Sequence, residues 1–387
     1  MLQDRFHPYR NNFDVLRLVL AGVVAVAHGL VMRTGHQPYF GISTLGDFAV
    51  DGFFILSGFL VTRSWLTLAN AWRYAWHRFL RIMPGFWVCL LVLAFLVAPA
   101  ALLLEGRPVT ELFAAPDSAT RFVLVNSGLM VFTYDIASVF AGNPNPLIVD
   151  GSLWTLVLEA GCYVVLGCLG LIGVLRRRTW VVPAFASVLW LLSVLYDLGV
   201  YVGIGDNTLR MLMLFMIGAS IFLYADRVPM RAWLAATAAA VFLGSVVLLD
   251  NYRTVGAVPL AYLLVYAAAG LPWTLRLRTD ISYGVYIYHW PVEQLLMLTV
   301  LSRLPTPAFV VVSLVLVIPV ALASWYGVER RALRRKNAQL PRWLPGVDDR
   351  RPSAGRDDAP APADRAAVGG HDGGHDLVVQ ATSDRRR

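Results

Sequence analysis

The sequence has 387 residues, of which 57% are hydrophobic and 15% are charged, a balance outside the range of ordinary soluble domains. Its formal charge of +8 does not come from the C-terminal tail, where eight Arg and eight Asp from Pro341 onward cancel. The excess positive charge lies between apolar runs, where it records membrane orientation. These features predict a membrane protein and argue against nucleic-acid binding.

Apolar runs recur along most of the chain, and each is long enough to cross a hydrocarbon core of about 30 Å as a helix. Transmembrane strands are excluded, because they would alternate apolar and polar residues over about 10 positions. The sequence therefore predicts an all-α, polytopic integral membrane protein. Its ten expected spans are residues 12–32, 44–66, 79–104, 152–175, 179–198, 207–224, 231–249, 255–271, 281–301 and 307–328.

Basic residues mark alternate connections between these spans, and such connections are usually cytoplasmic. They are Arg5 and Arg10, Arg63 to Arg81, Arg176 to Arg178, Arg227 and Arg231, Arg276 and Arg278, and Arg330 to Lys336. The pattern is consistent only if the short apolar stretch 121–134 does not cross. Both termini are then cytoplasmic, and that stretch lies re-entrant or at the interface within an outer loop of about residues 105–151.

The two ends of the chain are predicted to be cytoplasmic segments. Residues 1–11 precede the first span. Residues 331–387 begin with a basic run and then become rich in Pro, Ala, Gly, Asp and Arg, with few apolar residues. Such a composition predicts a disordered tail.

Metal binding is not expected. Cys89, Cys162 and Cys168 lie in apolar surroundings and show no CxxC or Cys/His ligand spacing. His371 and His375 of the tail have HxxxH spacing, but they stand among glycines without a helix to orient them, and no other two histidines have this spacing. We interpret the cysteines as packing residues.

Two polar residues share one face of the first span. Arg17 and His28 are eleven positions apart, which at about 100° per residue is three turns plus about 20°, with a rise of about 16 Å. Asp14, three residues before Arg17, is the expected ionic partner. A simple ion pair and a satisfied bundle histidine would explain the same residues. A cleavable signal is disfavoured, because Asp14 and Arg17 interrupt its apolar region.

Two carboxylates are predicted to lie near the depth of His28. Asp51 and Glu159 are each about seven residues from the outer end of their spans, or about 10 Å below the outer boundary. A carboxylate beside the imidazole would raise its basicity, as a general base requires. Hydrogen bonding of Asp51 and Glu159 to neighbouring helices is the alternative.

Further polar residues occur in three other motifs. Arg78 and Arg81, spaced i, i+3, are suited to binding phosphates, although ordinary positive-inside residues would look the same. Ser57 and Gly58 in "FFILSGF" offer a hydroxyl and a close backbone approach, and helix packing explains them equally well. His289 lies near mid-membrane and requires a polar neighbour.

These motifs together resemble the acyltransferase-3 family of integral membrane acyltransferases, the group that contains bacterial O-antigen, peptidoglycan and Nod-factor O-acetyltransferases. The resemblance rests on the spacing of Arg17 and His28 and on "FFILSG", "RFLR", "GSLWTLVLE" and "DISYGVYIYHWP". It covers about residues 11–329, so a transmembrane acyltransferase domain is expected over residues 12–330.

The resemblance implies ten helices that carry an acyl group, expected to be acetyl, from cytoplasmic acyl-CoA to a hydroxyl of an exported or cell-surface glycan. It also implies that Arg78 and Arg81 hold the CoA phosphates, that Arg17 lies along the pantetheine route, and that His28 is catalytic. Such an enzyme transfers groups other than amino-acyl groups and binds no permanent cofactor. It would reside in the inner (cytoplasmic) membrane as a multi-pass protein.

The predicted site combines the residues and the resemblance. The catalytic residues are His28, Asp51 and Glu159, and Ser57 joins the three arginines in the donor site. His28 acts either as a general base or as an acyl-carrying nucleophile, and the sequence does not separate these routes.

Several alternatives stay open at this stage. The acceptor could be a lipid or a secreted metabolite such as a glycosylated antibiotic. A secondary transporter would also carry buried Arg, His and carboxylates, although the sequence shows no internal two-fold repeat. Some members of the family that this sequence resembles carry a fused periplasmic SGNH-type esterase domain, and none is evident here. A periplasmic partner would supply that step, or the step is not needed.

Overall fold

The computed structural model describes residues 1–338 except residues 9, 69, 115, 276 and 278. The predicted disordered tail beyond residue 338 and two of the orientation-marking arginines, Arg276 and Arg278, lie outside the described residues. Within them the protein is all-α, apart from a two-stranded antiparallel hairpin of β1 (Tyr39–Phe40) and β2 (Ser43–Thr44).

Eleven principal helices follow one another among the described residues. They are α1 (Phe13–Thr34), α2 (Leu45–Leu68), α3 (Ala71–Leu104), α4 (Ala119–Asn126), α5 (Thr155–Leu171), α6 (Val181–Asp197), α7 (Asp206–Leu223), α8 (Ala232–Leu248), α9 (Arg253–Gly270), α10 (Ser282–Met297) and α11 (Thr306–Asn337). Short helical turns occupy Leu2–Arg5, Val109–Phe113, Val174–Arg177 and Val300–Arg303. Single π-helical turns interrupt α3, α9 and α11 at Leu93–Val97, Tyr266–Gly270 and Trp325–Glu329.

Six of these helices, α1, α2, α3, α7, α9 and α11, are long and apolar enough to cross a membrane. Three others, α5, α6 and α8, are apolar but shorter. Each of the ten predicted spans overlaps one of the helices other than α4. The protein is thus a multi-pass helical membrane protein, while ten crossings with both termini inside stay a prediction.

Helix α3 begins eight residues before the predicted span. Its N-cap is Asn70, whose side chain accepts a hydrogen bond from the backbone N–H of Arg73, and such a cap stabilises a helix start. The basic stretch before Phe79 is therefore helical. This extension presents Arg78 and Arg81 from a regular helix instead of a loop.

Helix α4 lies alongside α3 and not at its end. Trp87 of α3 donates a hydrogen bond from Nε1 to the backbone carbonyl of Ser127, just after α4, at 3.0 Å. Trp87 is seventeen residues from the end of α3 at Leu104, a distance of about 26 Å along the helix. The two predicted placements of this stretch, re-entrant or at the interface, both stay predictions.

Helices α2 and α7 approach each other closely at two glycines. A Cβ atom on Gly58 would lie 1.9 Å from the carbonyl oxygen of Phe215, and one on Gly218 would lie 2.0 Å from that of Ile55. Small residues permit such backbone contact between membrane helices. Gly58 of the "FFILSGF" motif therefore serves helix packing, and its neighbour Ser57 is the residue of the pair that faces a cavity.

Candidate active site

The core of the site is a pair of histidines on facing helices. His28 of α1 and His289 of α10 are joined by a hydrogen bond of 2.7 Å between Nδ1 of the first and Nε2 of the second. Their ring planes are 8° apart, with centroids 5.0 Å from each other. His289, predicted to require a polar neighbour, has one in His28.

The backbone fixes the direction of this hydrogen bond. Nδ1 of His289 lies 3.1 Å from the carbonyl oxygen of Val285, which can only accept, so Nδ1 carries the proton. In a neutral ring Nε2 of His289 is then the acceptor, and Nδ1 of His28 is the donor. This tautomer leaves Nε2 of His28 with a free lone pair, the state that a general base needs.

Two further side chains of α10 enclose the pair. The ring of Trp290 stands edge-on to His28, with centroids 4.9 Å apart and planes at 80°. Glu293, fully buried one turn beyond His289, lies against Gly29: its Oε1 is 3.5 Å from the position of a Cβ on that glycine. Neither carboxyl oxygen of Glu293 has a hydrogen-bond partner among the described residues. They are available to a bound hydroxyl.

A large basic cavity lies on the side of the bundle where α3 begins and α11 ends. Its volume is about 640 Å³. Five cationic side chains and two carboxylates line it, namely Arg17, Arg63, Arg78, Arg81 and Lys336 with Asp14 and Asp280. This surplus of positive charge suits a ligand that carries several phosphates.

A narrower cavity of about 40 Å³ continues from the basic cavity towards the histidines. The two cavities share Arg17 and Ser57, and the narrower one reaches Tyr286. The ring centroid of Tyr286 is 6.2 Å from that of His289. The two cavities border α1 at Asp14 and Arg17, and neither is lined by His28 or His289.

The ionic partner of Arg17 differs from the predicted one. Arg17 contacts Asp280 at 3.2 Å, and Arg81 contacts the same carboxylate oxygen at 2.8 Å. Asp14 lines the basic cavity without a salt bridge to Arg17 among the described contacts. Although burial opposes it, the charges of Arg81 and Arg17 hold the pKa of Asp280 well below its usual range. Asp280 was missed because it lies 263 positions from Arg17.

Arg78 differs from Arg81 in its contacts. Its guanidinium stands over the ring of Tyr163, 5.5 Å from the centroid, and its Nε has no hydrogen-bond partner in the described part of the chain. No described carboxylate forms a salt bridge with Arg78, whereas Arg81 is held by Asp280. Arg78 is therefore the better placed of the two to bind an incoming phosphate.

Ser57 and Glu159 meet on the wall of the narrow cavity. The hydroxyl of Ser57 donates to Oε1 of Glu159 at 3.0 Å, and the hydroxyl of Tyr163 donates to the same oxygen. The hydrogen bond of His28 goes to His289 and not to Glu159. Glu159 thus lies on the wall of the narrow cavity and bonds to a neighbouring helix, which was its alternative interpretation.

Asp51 is also separated from His28. Its carboxylate is fully buried and accepts hydrogen bonds from Arg253 Nε at 2.6 Å and from the Tyr252 hydroxyl at 2.5 Å. Arg210 contacts its other oxygen at 3.2 Å and also donates to Asp47 at 2.8 Å. The juxtaposition expected at one depth is therefore not found, because depth along a helix does not fix the direction of a side chain.

The outer loop covers the histidine pair. Gln294 of α10 donates from Nε2 to the carbonyl oxygens of Asn145 and Ile148, each at 2.8 Å, and accepts from Asn143 at 2.6 Å. Trp290 donates to Ile148 at 3.1 Å. The "NPNP" segment, predicted as a turn in the loop, is thus hydrogen-bonded to α10 at Gln294, five residues after His289.

Comparison with known proteins places the chain in a family. A family profile described as an acyltransferase domain matches residues 10–326. The chain belongs to the acyltransferase-3 family. An O-acetyl transferase of Shigella phage Sf6 is 26% identical over 360 residues, covering 85% of this chain and 98% of the relative. Nodulation protein 10 of Rhizobium leguminosarum bv. viciae is 28% identical over 370 residues, covering 87% and 96%. No solved structure matches.

The family match confirms the resemblance inferred from the motifs and identifies the protein as an acyltransferase of a membrane family. Sequence reasoning missed the partnership of His289 with His28 and the burial of Glu293 beside them. One signal could have pointed to it: His289 and Glu293 are spaced i, i+4 in a helix and so share a face.

Proposed function

We propose that this acyltransferase moves an acyl group, acetyl in the simplest case, from cytoplasmic acyl-CoA to a hydroxyl of an exported or cell-surface glycan. The observation that carries the proposal is the buried histidine pair, which lies next to Tyr286 at the deep end of two adjoining cavities, of which the larger is basic. The printed name of the phage relative, an O-acetyl transferase, supports the reaction type. The inner (cytoplasmic) membrane is the location where acyl-CoA and exported glycans meet at opposite faces.

The donor is bound by the basic cavity in this proposal. Arg78 contacts the phosphates of CoA. Arg17 and Arg81, which form salt bridges with Asp280, line the same cavity. The pantetheine arm extends past Ser57 and Glu159 into the narrow cavity, where a chain with few charges fits better than a phosphate. The thioester then faces the histidine pair, and no permanently bound cofactor takes part.

The chemistry follows from the tautomer of His28. Its Nε2 removes the proton of the acceptor hydroxyl while the oxygen attacks the thioester carbonyl carbon. Collapse of the tetrahedral intermediate breaks the carbon–sulfur bond, and the CoA thiolate takes the proton from the imidazolium. His289 accepts from Nδ1–H of His28 throughout, so it is a positioning residue that also stabilises the positive charge. Attack by Nε2 itself, giving an acyl-histidine, is the competing route.

The test of the catalytic assignment is replacement of His28. Cells that express His28→Ala should insert the protein normally but should transfer no acetyl to surface carbohydrate, measured by mass spectrometry of the polysaccharide. His36→Ala is the matched control, because His36 is exposed beyond the end of α1. Wild-type acetylation by His28→Ala would refute the assignment.

The role of His289 calls for a graded test. His289→Phe should lower kcat by about 10²–10⁴-fold, the usual contribution of acid–base assistance, with little change in KM for the donor. His289→Gln keeps an oxygen acceptor for the Nδ1–H of His28 and should recover part of the loss. Equal activity of both variants and the wild type would remove His289 from the mechanism.

The donor assignment is tested by binding. Arg78→Ala should weaken binding of labelled acetyl-CoA to the purified protein by at least about tenfold, the loss of one or more charge-assisted hydrogen bonds. Arg73→Ala is the matched control, since Arg73 precedes it on α3 and does not line the cavity. Unchanged binding in Arg78→Ala would mean that Arg78 is only a positive-inside residue that orients the helix in the membrane.

A further inference from the structure

One cation of the basic cavity comes from beyond the last predicted span. Lys336 lies in the final helical turn of α11, Arg334–Asn337, eight residues after the end of that span, or about 12 Å along the helix. Its side chain lines the basic cavity. The other basic residues of this stretch, Arg330, Arg331, Arg334 and Arg335, do not line it. The structure thus singles out one member of the basic run.

The end of α11 is fastened to the first turns of α3. Trp76 donates from Nε1 to the backbone carbonyl of Arg335 at 3.1 Å, and Nε2 of His77 lies 3.2 Å from the carbonyl oxygen of Lys336. A carbonyl oxygen can only accept, so Nε2 of His77 carries the proton. These contacts hold the backbone of Lys336 beside the helix that carries Arg78, and both cations line the same cavity.

The cations of the basic cavity differ in their anionic partners. Arg17 and Arg81 share the carboxylate of Asp280. In the described part of the chain, no carboxylate forms a salt bridge with Arg78 or with Lys336. Positive charge that the protein itself does not pair attracts an anion from a ligand. The cavity therefore offers such charge at two positions, one on α3 and one at the end of α11.

The donor proposed for this cavity also carries phosphate at two positions. In acyl-CoA the thioester is at one end, the diphosphate is in the middle, and the 3′-phosphate is on the ribose at the other end. The thioester enters the narrow cavity, which adjoins the basic cavity at Arg17 and Ser57. Lys336 lines only the basic cavity, from a helix end outside the predicted span, so it faces the nucleotide end of the donor.

The two side chains suit different phosphates. The planar guanidinium of Arg78 can donate two parallel hydrogen bonds to neighbouring oxygens of a diphosphate. The ammonium group of Lys336 is a compact point charge, which suits a terminal phosphate monoester.

We propose that Lys336 binds the 3′-phosphate of the donor and so selects CoA thioesters over donors that lack this phosphate. The proposal rests on the proposed function, because it requires acyl-CoA in the basic cavity. It adds a specificity-determining residue that the motifs of the sequence did not indicate.

Equilibrium binding of two labelled donors to the purified full-length protein provides the test. The donors are acetyl-CoA and acetyl-3′-dephospho-CoA, which differ only in the 3′-phosphate. The wild type should bind acetyl-CoA about tenfold more tightly, the loss expected for one charge-assisted hydrogen bond. Lys336→Gln should bind both donors equally, with the affinity that the wild type has for acetyl-3′-dephospho-CoA. That unchanged affinity would also show that the variant is folded.

Three further variants separate this contact from a general effect of charge. Arg334→Gln removes one positive charge from the same helical turn, but Arg334 is exposed and does not line the cavity, so the preference should equal that of the wild type. Lys336→Arg keeps the charge and should retain most of the preference. Arg78→Gln should weaken binding of both donors by the same factor, because both carry the diphosphate.

Three results would overturn the proposal: equal affinity of the wild type for the two donors, an undiminished preference in Lys336→Gln, or an equal loss of preference in Arg334→Gln. Each of them would leave the proposed function in place, since acetyl-CoA would still bind. Binding of neither donor by the wild type would instead contradict the proposed function itself.

Discussion

Asp51 provides the sharpest test of how this structure should be understood, because its position fitted a catalytic role and its contacts indicate a structural one. Asp51→Asn keeps the shape of the side chain and removes its charge. In this variant Arg210 would keep its salt bridge to Asp47, at 2.8 Å. Arg253 would lose its salt bridge, because Asp51 is the one carboxylate within salt-bridge distance of it among the described residues. Arg253 is itself buried.

The expected loss of stability follows from this difference between Arg210, which keeps a partner, and Arg253, which does not. Removing one partner of a buried ion pair costs about 3–5 kcal/mol, because the remaining charge stays buried and uncompensated. Tyr252→Phe removes only one hydrogen bond to Asp51 and leaves both guanidinium groups in place, so its cost should be about 1–3 kcal/mol. Asp51→Asn should therefore be the more destabilising of the two variants.

The assay is thermal unfolding of the purified protein in a fixed detergent, combined with acyl transfer measured well below the melting temperature. We expect Asp51→Asn to lower the melting temperature by several degrees while each folded molecule keeps activity within about threefold, since the carboxylate does not contact His28. Asp250→Asn is the matched control: Asp250 is exposed beside the same network, and its replacement should change stability by less than about 0.5 kcal/mol.

One result would refute this reasoning. If Asp51→Asn melts like the wild type and loses about 10²–10⁴-fold in kcat, the range of acid–base catalysis, Asp51 belongs to the chemistry after all.

Two further predictions concern pH and packing. Burial raises the pKa of Asp150, in the predicted outer loop before α5, to about 7, well above its usual range, despite hydrogen bonds from Ser152. The stability that protonated Asp150 contributes is present below pH about 4 and is lost as the pH rises to about 7. Asp150→Asn should therefore have a higher melting temperature than the wild type at pH 8 and the same melting temperature at pH 4. Gly58→Ala should destabilise the protein by about 1–3 kcal/mol or more, because helices α2 and α7 must separate. Gly22→Ala, where no atom lies within 4 Å of the new Cβ, should be nearly neutral in the same unfolding assay; equal melting of the two glycine variants would contradict the helix contact.

Two of these observations, the buried Asp150 and the hydrogen bonds from α10, concern the same predicted outer loop. Asp150 lies in the chain segment that Gln294 and Trp290 hold over the histidine pair. Five residues other than glycine adopt positive φ between Leu129 and Leu147 in the same loop, and such conformations persist where the surroundings enforce them. This segment is therefore fastened to α10 by specific contacts and contains one buried carboxylate, Asp150.

The sequence by itself determined the class of protein, the positions of its helices and the family motifs. Hydropathy and helix length are local properties, so each predicted span overlaps a helix, although α3 and α11 extend eight and nine residues beyond their spans. The common face of Arg17 and His28 also followed from sequence, because both residues lie on one helix of known pitch.

Only the tertiary structure decided which polar groups meet. His289 is 261 positions from His28, and Asp280 is 263 positions from Arg17, so no spacing rule connects them. Depth in the membrane suggested that Asp51 and Glu159 would lie beside His28, but the rotation of each helix about its own axis directs these carboxylates to Arg253 and Ser57 instead. Rotation and neighbour choice are set by packing across the whole bundle, including the contact at Gly58. That information is not contained in any single span.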